Sequence, residues 1–194
     1  MKPRIPLSVT VAFLAGISCL VTWMPFGTAW GDGTFKLGIP VWALFIGWAW
    51  YYYEGASAAV FKKVIPSAIP GAFTASAAVW ALGVTANVYG TNYGLYMVVL
   101  MVIVALSVFA LMLLLKLTKI FPSSLAAFNG YSSVFALTFI GGYPYAGATD
   151  VSPLVPLFFC FMWALIGNWL GPVFGWLSIA LQFNKKVEGG AKEA

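Results

Sequence analysis

The chain has 194 residues, of which 62% are apolar and 8% charged, with a net charge of +5. A soluble domain of this size cannot hide so much apolar surface in one core. The two cysteines, Cys19 and Cys160, each lie inside an apolar run, and histidine is absent, which excludes disulfide frameworks, Ser-His-Asp triads and the usual zinc spacings.

Six apolar runs follow one another, each long enough to cross a hydrocarbon layer of about 30 Å as a helix. The first runs from Leu7 to Trp30, after Lys2 and Arg4. It exceeds the apolar core of a signal peptide and no small-x-small cleavage site follows it cleanly, so it reads as a span. Gly31-Asp32-Gly33 makes a turn. The second run covers Leu37 to Ala56, followed by Lys62 and Lys63. The third covers Val64 to Val88, with Pro66 and Pro70 in its first turns, where proline is best tolerated. Residues 89–92 form a short loop. The fourth run covers Tyr93 to Leu115 and is closed by Lys116 and Lys119. The fifth covers Ser123 to Ile140, and a loop beginning Gly141-Gly142-Tyr143-Pro144 follows it. The sixth extends from Pro153 to Phe183, longer than a span requires, so a kink or break is expected near Gly171-Pro172. Residues 1–183 thus read as a single transmembrane domain, and the polar residues 184–194 as a disordered cytoplasmic tail.

With six spans, nine of the ten basic residues fall on one side of the membrane and only Lys36 on the other. The positive-inside rule then puts both termini in the cytoplasm. No basic patch or stripe is present, which argues against nucleic acid as a partner.

The two halves repeat at an offset of 83 residues. Phe45-x-Gly47-Trp48 returns as Phe128-x-Gly130-Tyr131, Pro70 as Pro153, and Trp80-Ala81-Leu82 as Trp163-Ala164-Leu165. Repeat one spans about 7–88 and repeat two about 93–183. Three spans per copy invert the second copy, so the expected fold is all-α: six transmembrane helices arranged as two inverted three-helix repeats.

The same motifs carry a resemblance. Pro40-x-Trp42-x-x-Phe45-x-Gly47-Trp48-Ala49, and Pro122 followed by Phe128-x-Gly130 and Phe135-Ala136, resemble the small bacterial inner-membrane proteins of the YcdZ-like type, over roughly residues 8–180. That resemblance implies a multi-pass protein of the bacterial inner membrane. It carries no substrate and no functional residue, because the family's domain is one of unknown function.

Polar groups within apolar spans need partners, and deep aromatics stand out among them. The path candidates are Phe45, Gly47, Trp48, Trp80, Phe128, Asn129, Gly130, Tyr131, Ser133, Trp163 and Asn168. Phe45, Trp48, Phe128 and Tyr131 are expected to form an aromatic waist beside Gly47 and Gly130. The alternative for each is ordinary helix packing. Gly167, Gly171 and Gly175 make a small-residue ridge suited to a close helix approach. Glu54 is the only acidic residue inside a run and lies near its end, where it faces Lys62 or Lys63. Coupled carriers need an ionisable group at mid-membrane.

The leading expectation is therefore a passive channel or facilitator for a small, uncharged polar solute, embedded in the lipid bilayer as a homo-oligomer. A structural or accessory subunit without its own pore is the alternative, and a coupled transporter the third. No nucleophile–base pair or metal constellation can be assembled, so no enzyme, cofactor or metal is expected.

Overall fold

The computed structural model of the chain describes residues 5–23 and 39–182. Among the described residues all regular structure is helical: α1 (Leu7–Trp23), α2 (Val41–Tyr53), α3 (Ala59–Val84), the single turn α4 (Ala86–Tyr89), α5 (Tyr93–Leu117), α6 (Ser124–Ile140) and α7 (Leu154–Ala180). The turn at residues 31–33 and the tail lie outside the described residues.

Three of these helices are long and apolar enough to cross a membrane: α3, α5 and α7. With 17 residues each, α1 and α6 span about 26 Å. The 13 residues of α2 span about 20 Å, short of a full crossing. The expected run to Ala56 ends early because the chain turns at Gly55 (φ 97°) and Ala56 (φ 51°). The Tyr51 hydroxyl donates to the Ala56 carbonyl at 3.0 Å and holds that turn.

Helix α3 starts earlier than the sequence suggests. Lys62 and Lys63 belong to its first turns, since a long stem lets an ammonium reach water from a helix end. Pro66 and Pro70 therefore lie deeper in the helix than expected. At the far end, Asn92 caps α5 by accepting from the Leu95 N–H at 3.0 Å. Ser123 caps α6 in the same way, from Ala126. Helix α7 runs without a break through Gly171-Pro172.

The core is built from small residues. Ala68, Gly71, Ala72, Ala75 and Ala78 recur every three or four residues along α3 and are all buried. They face Ala127, Gly130, Tyr131 and Val134 of α6. The two helices run parallel: Ser67 meets Ser123, and one turn on Gly71 meets Ala127. Helices α2 and α7 pair in the same sense, with Ala43 against Gly167, Gly47 against Gly171 and Tyr51 against Gly175. The Gly167-Gly171-Gly175 ridge is thus filled by α2 within the same chain.

Many large apolar side chains lie on the outside. On α5 only Leu111 is buried, while Met101, Leu106 and Phe109 are each more than 60% exposed. Ser67, Ser133, Asn129, Asn168 and Ser178 are inside. That inversion of the soluble pattern is what a hydrocarbon surrounding demands.

The offset of 83 does not extend through the third helix of each half. Pro70 lies buried inside α3, whereas Pro153 precedes α7 as its cap. Trp80 sits exposed toward the end of α3, whereas Trp163 is partly buried in the first half of α7. The loop 141–153 ahead of α7 is longer than the turn ahead of α3 and shifts the register.

Candidate functional site

Ser123 caps α6 and bonds Ser67 of α3 through its backbone N–H at 3.0 Å. Positions 127, 130 and 134 then face α3, while 129 and 133, one turn apart, reach α7. There Asn129, Ser133 and Asn168 come together, all at most 5% exposed. Asn168 is the centre. Its Nδ2 donates to the Ser133 hydroxyl at 2.9 Å and to the Ala164 carbonyl at 2.7 Å. Its Oδ1 accepts from Asn129 Nδ2.

These bonds fix both amide orientations. The Ala164 carbonyl can only accept, so it must face the Asn168 NH2 group. Asn168 then presents its oxygen to Asn129, which must answer with its own NH2 group. The Asn129 Oδ1 is left buried without a partner among the described residues. The Ser132 hydroxyl nearby donates to the Asn129 backbone carbonyl at 3.1 Å and leaves the side-chain oxygen alone.

The backbone of Asn168 is also engaged. Pro172 has no N–H, so it withholds the helical bond the Asn168 carbonyl would accept. Gly47 of α2 covers that carbonyl; a Cβ there would stand 2.6 Å from the oxygen. One residue thus links α2, α6 and α7.

The aromatic candidates scatter. Trp48 is buried with Leu14, Leu44 and Phe174, its ring 5.8 Å from that of Phe174. Tyr131 lies in a different cluster, against α3 and α5, and its hydroxyl bonds Ser107 Oγ at 2.6 Å. Phe45 and Phe128 are both exposed on the outer flank. Phe45 stacks on Trp48 at 6.2 Å from outside. The four do not form a single ring, because α2 packs Trp48 against α1 and α7 while α6 packs Tyr131 against α3 and α5. Trp80 is exposed beside Tyr143 and Pro153. Trp163 packs edge-on against Phe159, and its buried indole N–H, like that of Trp48, has no partner.

A second polar group at one end of the bundle is only partly legible in the sequence. The Lys63 ammonium pairs with Glu54 at 3.2 Å. Ser123 donates its hydroxyl to the other Glu54 oxygen at 3.4 Å and its backbone N–H to Ser67 Oγ at 3.0 Å. The ends of α2 and α6 and the first turns of α3 are tied there. The pairing of Glu54 with Lys63 was legible; the two serines were not, since Ser123 reads as an ordinary helix start and Ser67 as an ordinary position within a helix.

The surface grooves are apolar. The one between α5 and α6, about 450 Å³, has Met97, Met101, Val104 and Phe135 on its walls.

A family model for a protein of unknown function (DUF1097) matches residues 8–183, nearly the whole chain. The chain belongs to this family. No curated protein and no solved structure matches it. The match covers the stretch over which the YcdZ-like resemblance runs, and it brings no ligand or activity with it.

Proposed function

We propose that this DUF1097 protein is a passive channel or facilitator for a small, uncharged polar solute, with Asn129, Ser133 and Asn168 as the polar station on its path. The observation that carries the reading is the neutral hydrogen-bonded network buried between α6 and α7, ending in an unpaired acceptor. Polar groups at such depth in a membrane are costly and mark sites of use. All three groups are neutral, which suits an uncharged solute. The Glu54–Lys63 pair lies at a helix end, away from the network.

In this reading α1, α2, α3, α5, α6 and α7 form six membrane segments of the bacterial inner membrane, with both termini cytoplasmic. The two halves are inverted copies. Three matching contacts support that relation. Gly171 against Leu44 corresponds to Gly71 against Ala127, Gly47 against Asn168 to Gly130 against Ala68, and Gly167 against Pro40 to Ser67 against Ser123. The offset is 83 between α2 and α6 and becomes 100 between α3 and α7. The parallel sense of both helix pairs also fits six alternating crossings.

A second reading, an accessory subunit without its own pore, draws on α5. Its apolar side chains face outward along the whole helix, a surface that a second copy or another membrane protein would cover. Proteoliposome shrinkage after mixing with urea, glycerol or acetamide separates the two. A channel speeds the recovery for at least one solute above protein-free vesicles. Recovery equal to the protein-free vesicles for all three supports the subunit.

A further inference from the structure

The unpaired oxygen of Asn129 has a consequence for which solutes fit. Asn129 is 5% exposed inside the helix bundle with this oxygen fully buried, and the amide's orientation is dictated by Asn168 rather than left to choice. Packing alone does not call for it. Under the correspondence drawn above, the positions of Asn129, Ser133 and Asn168 are taken in the first half by Ile46, Trp50 and Ala68. The helix pair that corresponds to α6 and α7 is α2 and α3, and at these positions it carries no amide at all. The polar network is therefore an addition to the scaffold.

A carboxamide oxygen only accepts hydrogen bonds. We infer that Asn129 Oδ1, backed by the Asn168–Ser133 relay, is a recognition site for a small neutral molecule that donates N–H bonds, of the amide or urea class. A cation is a poor fit, because one neutral oxygen cannot replace a hydration shell. A ketone of the same planar shape brings only another acceptor and leaves the oxygen unpaired, at a cost of the kind that discriminates between isosteres. The inference deepens the channel reading and rests on it for the meaning of the site, though not for binding itself.

The test uses the full chain in lipid bilayers, labelled with carbon-13 at asparagine, and magic-angle-spinning NMR. The Asn129 Cγ resonance is assigned as the one missing from Asn129→Leu, or from Asn129→Ser should the leucine variant fail to fold. Urea is expected to move that resonance saturably, and acetone, which matches urea in shape and lacks donors, is expected to leave it in place. No movement with urea, or equal movement with acetone, overturns the site. Flux through the same vesicles separates the two claims. If urea moves the resonance but does not cross, the site stands and the channel reading falls. If urea crosses, Asn129→Leu should slow it roughly three- to tenfold, the equivalent of one hydrogen bond; unchanged urea flux in a folded variant also overturns the site.

Discussion

Gly71 lies flush against the Ala127 peptide where α3 crosses α6; a Cβ on Gly71 would stand 2.7 Å from the Ala127 carbonyl carbon. Backbone cannot swing aside as a long side chain can. Gly71→Val is therefore expected to separate the helices and cost about 1–3 kcal/mol or more by overpacking. Gly16 is the control, since nothing stands within 4 Å of a Cβ there. Gly16→Ala should be neutral or slightly stabilising, by up to about 1 kcal/mol. Thermal unfolding in detergent compares the two. Equal midpoints would show that the crossing is looser than this contact implies.

The two asparagines should respond differently to loss of their amides. Asn168→Leu strips partners from Asn129, Ser133 and the Ala164 carbonyl at once. Asn129→Leu removes one bond together with an oxygen that already lacks a partner. The first variant should lose about 1–2 kcal/mol, the range for hydrogen bonds within membranes, and the second less. The order is read from detergent unfolding curves. A larger loss for Asn129→Leu would contradict the assigned amide orientations.

Trp48 and Phe45 occupy one helix but opposite environments. Trp48→Ala opens a hole among Leu14, Leu44 and Phe174 and is expected to cost about 3–5 kcal/mol, seen as poor yield of folded protein. Phe45→Ala trims an exposed ring and should leave yield near wild type. Normal yield for Trp48→Ala with faster flux of larger solutes would instead put Trp48 on the path.

Topology has its own test. Single cysteines placed at Thr91 or Asp150, in a background without Cys19 and Cys160, should be labelled from outside intact cells. Cysteines at Lys62 or Lys185 should be labelled only after lysis. Outside labelling at Lys62 would remove the six-segment arrangement.

Where a cap is spelled out locally, the sequence was enough. Asn92 and Ser123 each present a side-chain acceptor just before an apolar run, and α5 and α6 start where expected. The start of α3 was obscured because two adjacent lysines read as a loop. Where a kink or break was expected at Gly171-Pro172, α7 runs on unbroken, and Gly47 packs over the carbonyl that Pro172 releases, a contact between distant segments. The same is true of the repeat. Trp80 and Trp163 match by letter yet differ in burial, while Gly71 and Gly171 match in contact with no flanking motif in common. Asn129, Ser133 and Asn168 were legible as polar residues in apolar runs. Their meeting depended on the rotation of α6 against α7, which no local pattern encodes.

The contrast between α5 and its neighbours bears on how the chain is made. The best 18-residue stretch of α5 has a mean hydropathy of 3.2, against 1.4 for α3 and 1.7 for α7. Helix α5 partitions into lipid on its own account, whereas α3 carries two internal prolines and α7 a buried asparagine that is costly until it is bonded. During synthesis α5 thus acts as the anchor. Helix α3 emerges before it, and its small-residue face stays unmatched until α6 arrives. At least the 39 residues that separate the end of α3 from the start of α6 must therefore be made before that face is matched.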